Sequence, residues 1–221
     1  MRTAVPVLLA VAAAACAVAG LSSCAKPSPP PTSPPPPATH AAKQAPPSTP
    51  VAGAKSVLMV IAQKGFRDEE LLTPKKAFEG AGYAVTVVAP TTGSATGTSG
   101  ASVIPDGTIA AADPGKFDAV IFVGGPGASA LFEDADAHRL AREAVDGGKV
   151  VGAICLAPSI LARAGLLKGK RATVWESESK ALESGGATYT GESVTVDGKL
   201  VTGNAPEAAA RFADELLKLL K

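Results

Sequence analysis

A proline-rich segment between residues 26 and 54 limits where this chain can build a folded core. The segment holds eleven of the nineteen prolines, mixed with Ser, Thr and Ala, and it has no acidic residue. Proline fixes φ and removes a backbone donor, so we expect a semi-extended spacer without helix or sheet. The predicted organisation is a signal region over residues 1–24, a disordered linker over 25–54 and one domain over 55–221.

The first 24 residues predict export. Arg2 gives a positive start, an uncharged apolar run follows from Ala4 to Leu21, and the run ends in Leu21-Ser22-Ser23-Cys24. That end resembles the lipobox of bacterial lipoproteins, in which cleavage leaves the cysteine as an acylated N-terminus. We therefore expect a protein of the bacterial cell envelope, anchored to a membrane through lipidated Cys24 and facing the periplasm or the cell surface. A plain signal peptide or an uncleaved anchor is the alternative, and both also place the domain outside the cytoplasm.

The composition of residues 55–221 excludes several classes of partner. These 167 residues carry 18 basic and 20 acidic side chains, a net charge of −2, with no basic run and few aromatic residues. Binding to nucleic acid is therefore not expected. No set of His, Cys and carboxylate side chains has metal-ligand spacing, and Gly124-Gly125-Pro126-Gly127 lacks the Lys and Ser/Thr of a phosphate loop. The sequence thus predicts neither a metal nor another cofactor.

Strand and helix patterns alternate along the domain. Continuous apolar runs over Ser56 to Ala62, Asp118 to Val123 and Lys149 to Ile154 predict strands buried on both faces, which is typical of a parallel sheet. The order predicts a doubly wound α/β/α sandwich with a mostly parallel central sheet. The other predicted elements are helices over 68–81, 135–146, 158–164, 178–183 and 206–220, strands over 83–89 and 171–175, a hairpin over 194–201, and short strands or a hairpin near Val103 and Ile109.

Cys155 lies where a predicted strand turns into a predicted helix. Ala153 and Ala157 flank it two positions away on either side, and small residues at this spacing let the backbone turn sharply and project the middle side chain. The start of a helix beside the sulfur favours thiolate over thiol, so we expect a lowered pKa. Because Cys16 lies in the signal and Cys24 is the acylation site, Cys155 is a single thiol, either reactive or buried and inert.

Three blocks carry a resemblance to a known family: Phe66 to Pro74, Val123-Gly124-Gly125, and Ala153 to Pro158 followed by 164–169 and 172–175. They resemble the ThiJ/PfpI family, which has the class I glutamine amidotransferase-like fold, itself flavodoxin-like. The resemblance implies that Glu70 is the site glutamate and that the Gly125 and Leu156 amides form an oxyanion hole beside Cys155. It also implies a homodimer. The alternative for Glu70 is a first-turn residue stabilised only by the helix dipole.

Two positions depart from the pattern of the family. Leu156 follows the cysteine where members with hydrolase or peptidase claims carry His, and Trp175 stands where others have a second His. His138, the remaining histidine of the domain, is expected on the surface, so a Cys-His relay and peptidase activity are not expected. Glu176 is predicted to lie near the pocket together with Gly124 and Trp175.

Three functions stay open at this point. In the first, which the resemblance implies, Cys155 adds to a small reactive carbonyl compound of the glyoxalase or deglycase type, while Glu70 moves protons. In the second, Cys155 is oxidised and Glu70 stabilises the product without turnover, which makes the protein a sensor or protective protein in oxidative stress. In the third, the domain is a small-molecule binding or scaffold domain that keeps the elbow as architecture. The expected partner is accordingly a small-molecule substrate or oxidant.

Overall fold

The computed structural model describes residues 55–221, and the predicted signal, lipidation site and linker lie outside them. No helix among the described residues is long and apolar enough to cross a bilayer. The strands are β1 Ser56–Val60, β2 Lys64–Phe66, β3 Ala84–Ala89, β4 Ala95–Gly97, β5 Ser102–Val103, β6 Gly107–Thr108, β7 Ala119–Phe122, β8 Val150–Ile154, β9 Arg171–Ala172, β10 Thr188–Tyr189, β11 Val194–Asp197 and β12 Leu200–Gly203. The α-helices are α1 Asp68–Gly80, α2 Ala135–Asp146, α3 Pro158–Arg163, α4 Ser179–Ser184 and α5 Ala209–Leu219.

A central sheet of seven strands organises these elements, in the order β11-β12-β8-β7-β1-β3-β6. Neighbouring strands are parallel throughout, except for the antiparallel hairpin of β11 and β12. The predicted α/β/α sandwich with a mostly parallel sheet is thereby confirmed. Because β7 and β8 are adjacent and parallel, the segments that follow them emerge side by side at the carboxyl edge, where ligands bind in open sheets of this kind.

The first strand shows why the sheet has a layer of helices on each face. Val57 and Met59 belong to one core with residues of α1 and α5, and Leu58 and Val60 belong to a second core with residues of α2, α3 and α4. All four side chains are fully buried. Alternate residues of a strand point to opposite faces, so an unbroken apolar run requires cover on both sides.

Two parts of the chain differ from the expected strands. The run predicted over 171–175 forms only the short β9, which pairs with β10 in a separate two-stranded sheet. The unpredicted strand β2 pairs with β4, and β4 pairs with β5, in a small three-stranded sheet. Strands of two or three residues are too short to show an alternating pattern, and their existence depends on pairing with partners that the local sequence does not reveal.

Asp68 fixes this small sheet against the first turn of α1. Its carboxylate accepts hydrogen bonds from the backbone N–H groups of Ser99 at 2.8 Å and Ala101 at 2.7 Å. Burial raises the pKa of Asp68, but these N–H donors outweigh burial, and the pKa lies below its ordinary value. The carboxylate therefore clamps the β4–β5 hairpin beside the helix that carries Glu70.

Replacing Phe212 by Ala tests the packing of α5 on the sheet. Phe212 is fully buried, and a Cβ atom on Gly152 of β8 would lie 2.9 Å from its Cζ atom, so the ring sits directly on the strand. We expect Phe212→Ala to lower the free energy of unfolding by about 3–5 kcal/mol, measured by urea denaturation. Leu219→Ala, on the same helix but 37% exposed, is the control, with a loss below about 1 kcal/mol. Equal losses in the two variants would contradict the assigned packing.

Candidate active site at Cys155

Cys155 occupies a sharp turn directly after β8. Its φ of +59° makes it the one non-glycine residue with positive φ between residues 55 and 221. Two hydrogen bonds hold the turn: the Cys155 N–H donates to the Gly203 carbonyl at 2.9 Å, and its own carbonyl accepts from the Trp175 N–H at 2.9 Å. A left-handed conformation costs a residue with a Cβ roughly 1–2 kcal/mol, and such strain is concentrated at functional sites.

Glu70 brings a carboxyl group to the same place from the first turn of α1. The side chain is fully buried, and its Oε2 atom accepts a hydrogen bond from the Gly124 N–H at 3.0 Å. The Cys155 thiol lies close to this carboxyl, so each group affects the ionisation of the other, while Oε1 has no hydrogen-bond partner among the described residues. A methyl group on Gly124 would lie 2.7 Å from Oε2 and 2.8 Å from Cβ of Cys155, so only glycine leaves room for the carboxyl and the cysteine to meet.

Two backbone amides point at the sulfur from different loops. The N–H groups of Gly125, after β7, and Leu156, after Cys155, both form hydrogen bonds with the Cys155 side chain. Gly125 has a φ of +95°, and a Cβ there would lie 2.4 Å from the Arg67 nitrogen. The structure thus brings together Glu70, Gly124, Gly125, Cys155 and Leu156, with Gly124 and Gly125 buried in the loop.

The electrostatics of the pair differ from the expectation for the thiol. Burial raises the pKa of Glu70 to about 7, against the opposing effects of its hydrogen bonds and of the Arg67 charge. Burial and, after it, the Glu70 charge raise the pKa of Cys155 to about 12, although the Gly125 and Leu156 amides act to lower it. The predicted lowering was wrong, because desolvation and a negative neighbour outweigh the start of a short helix. With the side chain 5% exposed, the sulfur is nearly closed off from water.

The segment after β9 contacts the elbow through the backbone of Trp175 and contacts α3 through the side chain of Glu178. Trp175 is 45% exposed, and its backbone holds the Cys155 carbonyl. Glu176 is exposed at the start of a 3₁₀ helix. Glu178, which the sequence did not single out, accepts a hydrogen bond from the buried Ser159 hydroxyl at 3.1 Å, which ties this segment to α3 behind the elbow. Nothing in the sequence distinguishes Glu178 from Glu176, which is also acidic and lies two positions earlier.

The expectation of a surface histidine was wrong. His138 is 8% exposed, and its Nε2 atom lies 2.7 Å from the carbonyl oxygen of Phe132. The reason is that His138 lies in the first turn of α2, which folds back over the preceding loop and buries the ring there. The imidazole therefore has a structural partner. Over the described range 55–221, no group of three or more His, Cys, Asp or Glu side chains is arranged to hold a metal ion.

A buried cysteine at a strand-to-helix elbow, with a carboxyl group and two amides around its sulfur, defines a class of α/β/α proteins with a nucleophile-type turn. Residues 55–219 match the sequence model of the DJ-1/PfpI family, so the chain belongs to that family, as the ThiJ/PfpI resemblance indicated.

Individual relatives agree with this assignment. The chain is 42% identical over 168 residues to an uncharacterized protein of Methanocaldococcus jannaschii, covering 75% of this chain and 82% of the relative. It is 32% identical over 156 residues to a protein of Pyrococcus horikoshii named a deglycase, covering 71% and 94%. The crystal structure of a ThiJ/PfpI domain protein from Brachyspira murdochii superimposes with a TM-score of 0.74 at 33% identity, over 76% of this chain and 98% of that one.

Replacing Glu70 by Gln tests the buried carboxyl through stability. The pKa of Glu70 is near 7 in the folded protein and 4.5 ordinarily, so the folded state binds this proton more tightly than the unfolded state does. The contribution of Glu70 to stability is therefore fully present below pH 4.5 and is lost as the pH rises through 7. A neutral Gln avoids the loss, and we expect the free energy of unfolding of Glu70→Gln relative to wild type to be about 2–3 kcal/mol more favourable at pH 8 than at pH 5.

Denaturant titrations at the two pH values measure this difference. Glu69→Gln, in the same helical turn but exposed, is the matched control, since it removes a carboxylate and leaves the buried one in place. A Glu70→Gln effect that does not change with pH would show that the carboxyl is not desolvated as described.

Proposed function

We propose that residues 55–221 form an enzyme of the glyoxalase or deglycase type, in which Cys155 adds to small reactive carbonyl compounds without a histidine. The observation that carries this proposal is the convergence of the Glu70 carboxyl and the Gly125 and Leu156 amides on one sulfur atom. The Pyrococcus horikoshii relative, named a deglycase, supports the same class of reaction.

In the proposed first step the thiol proton and the new bond move together. The Glu70 carboxylate accepts the proton of Cys155 while the sulfur attacks the carbonyl carbon, and the electron pair of the carbonyl double bond moves to oxygen. The Gly125 and Leu156 N–H groups then stabilise the oxyanion. Proton return from Glu70 gives a neutral hemithioacetal. A carboxyl with a pKa of about 7 suits this role, since a general base works best when its pKa is near the working pH.

For a 2-oxoaldehyde the same carboxylate can complete the conversion. Glu70 removes the C–H proton of the hemithioacetal carbon and returns it to the neighbouring carbon, and the hydroxyl proton of the hemithioacetal passes to the ketone oxygen. The former aldehyde carbon thereby becomes a thioester and the ketone becomes an alcohol. Water then cleaves the thioester, which releases a 2-hydroxy acid and restores the thiol. The net reaction adds one water and needs no external oxidant or reductant.

Peptidase chemistry fits this site less well. A cysteine peptidase uses an imidazole to activate its thiol and to protonate the leaving amine. His138 is the sole imidazole of the described range, and its Nε2 atom is engaged by the Phe132 carbonyl. Leu156 and Trp175 supply no proton at the positions where family members carry histidine.

Oxidant sensing is the second candidate, and one observation favours it. Glu70 with a pKa of about 7 is partly protonated at neutral pH, and its O–H group can donate a hydrogen bond to a sulfenate or sulfinate on Cys155. A peroxide-treated protein that gains two oxygen atoms on Cys155, but never consumes an aldehyde, would favour this function. An intact, unoxidised thiol with no turnover would leave the scaffold function.

The location of the domain is part of the proposal. The sequence Leu21-Ser22-Ser23-Cys24 supports an exported lipoprotein tethered to an envelope membrane, with residues 25–54 as the spacer. Mass spectrometry of the mature protein tests this: an N-terminal Cys24 with acyl mass supports the tether, and an unmodified Met1 start rejects it. The homodimer implied by the resemblance to the family is measured by light scattering.

Consumption of methylglyoxal by the purified protein tests the enzymatic function. We expect Cys155→Ser to abolish turnover, and Glu70→Gln to reduce kcat by about 10²-fold or more, because general-base assistance contributes that much. Glu69→Gln is the control and should retain wild-type turnover. Turnover that survives in Cys155→Ser would sink the proposed nucleophile.

Alkylation of Cys155 by iodoacetamide tests whether Glu70 acts as a base in the reaction or only affects the pKa of the thiol. The Glu70 charge raises the pKa of Cys155, so Glu70→Gln should lower the thiol pKa by roughly one to three pH units and accelerate alkylation at pH 8. A variant that alkylates faster and yet turns over more slowly identifies Glu70 as the proton acceptor of the reaction. An unchanged thiol pKa would dismiss the pairing of Glu70 with Cys155.

A further inference from the structure

Arg67 differs from the other arginines between residues 55 and 221. The guanidinium groups of the other five arginines in this range each donate a hydrogen bond to an oxygen atom of the protein. These residues are Arg139, Arg142, Arg163, Arg171 and Arg211. The Arg67 guanidinium has neither a hydrogen bond nor an ion pair with any described residue, and its Nε atom is buried without a partner. Arg67 as a whole is partly exposed, and a buried donor without a partner is costly, so this side chain favours a partner that supplies oxygen atoms.

The backbone of Arg67 lies directly against the candidate active site. Its backbone N–H donates to the Gly124 carbonyl at 3.0 Å, and the N–H of the same glycine binds Glu70. A Cβ on Gly125 would lie 2.4 Å from the backbone nitrogen of Arg67, so the backbone of this residue lies against the loop that carries the Gly125 amide. The positive charge is also close enough to lower the pKa of Glu70.

Neighbouring acids do not satisfy Arg67. Asp68 directs its carboxylate to the amides of Ser99 and Ala101, and Glu70 directs Oε2 to Gly124. Glu69 is exposed and forms no ion pair with it. A guanidinium offers planar donors that match the two oxygen atoms of a carboxylate or phosphate group.

We propose that Arg67 binds an anionic oxygen group of the substrate, so that the preferred carbonyl compounds carry a carboxylate or a phosphate group. The inference rests on the proposed function, because the anionic group belongs to the compound whose carbonyl meets Cys155. Arg67 is then a specificity determinant, which orients the carbonyl and neither donates nor accepts the transferred proton.

Two alkylating agents of nearly equal size test the subsite without any turnover. Iodoacetate and iodoacetamide both form an S–C bond with Cys155 and release iodide, but only iodoacetate carries a carboxylate. The measured quantity is the rate constant for iodoacetate divided by the rate constant for iodoacetamide. Changes in thiol ionisation cancel in this ratio, because both reagents attack the same thiolate. We expect the ratio for the wild-type protein to exceed that of N-acetylcysteine, and to fall about tenfold in Arg67→Gln, as for the loss of one charge-assisted hydrogen bond.

Two further variants make the result specific to Arg67. Arg67→Lys keeps the charge and should lower the ratio less than Arg67→Gln does. Lys116→Gln removes a positive charge just before β7, at the opposite edge of the sheet, from a side chain that is 77% exposed; it should leave the ratio unchanged. A wild-type ratio equal to that of N-acetylcysteine, or an equal ratio in wild type and Arg67→Gln, would overturn the proposal. The wild-type comparison needs no variant to fold.

Matched pairs of aldehydes identify the anionic group. Glyoxylate and glyoxal differ by a carboxylate, and glyceraldehyde 3-phosphate and glyceraldehyde differ by a phosphate. The anionic member of at least one pair should protect Cys155 from iodoacetamide at about tenfold lower concentration, and Arg67→Gln should remove that advantage. The pair in which the anionic aldehyde protects better identifies the group that Arg67 binds. If the anionic aldehyde has no advantage in either pair, the anion subsite is rejected.

The two proposals fail in different ways. Methylglyoxal carries no anionic group, so its consumption tests the chemistry at Cys155 alone. Turnover of methylglyoxal with an unchanged alkylation ratio would reject the anion subsite and leave the enzyme. No turnover of any aldehyde, with a ratio that falls in Arg67→Gln, would reject the enzyme and leave an anion-binding group beside a thiol.

Discussion

The contact between the Glu70 carboxyl and the Cys155 thiol, in a site that is almost closed to water, is the constraint on which the rest of the site depends. Burial raises the pKa of both groups, and an ionised Glu70 makes ionisation of the thiol still harder. The two groups are therefore coupled: a proton on the carboxyl favours the thiolate, and a proton on the sulfur favours the carboxylate. The thiolate therefore forms more readily when Glu70 takes up the thiol proton than when Glu70 stays charged beside the sulfur.

The arrangement of strands and helices holds the Glu70 carboxyl close to the Cys155 thiol. Parallel β7 and β8 deliver the Gly124 loop and Cys155 to the same edge, and α1 brings Glu70 across them. At Gly124 a single methyl group would collide with both partners, so the close approach depends on the absence of a side chain. The hydrogen bonds from Cys155 to Gly203 and from Trp175 to Cys155 keep the strained turn in place. The packing and hydrogen bonds of the sheet thus maintain a backbone conformation that is unfavourable for the cysteine by itself.

Much of the fold could be predicted because its determinants are local. The apolar run of β1 requires cover on both faces, and helix α2 begins and ends at the residues that the sequence predicts. The members of the site could be named from the elbow pattern and from the family resemblance. What failed depends on tertiary environment: the burial of His138, the pairing of β9 and the direction of the pKa of Cys155. A helix start is visible in a sequence, whereas desolvation by distant segments is not.

The position of Arg67 connects substrate binding to the proton transfer. Its charge lowers the pKa of Glu70 when no anion is bound, and this keeps the carboxyl ionised more of the time near neutral pH. An anionic group that we propose to bind at Arg67 neutralises that charge locally, so the pKa of Glu70 rises and the carboxylate becomes a stronger base when the carbonyl arrives. A neutral aldehyde cannot produce this effect. The same guanidinium would therefore select the substrate and strengthen the base as the substrate binds.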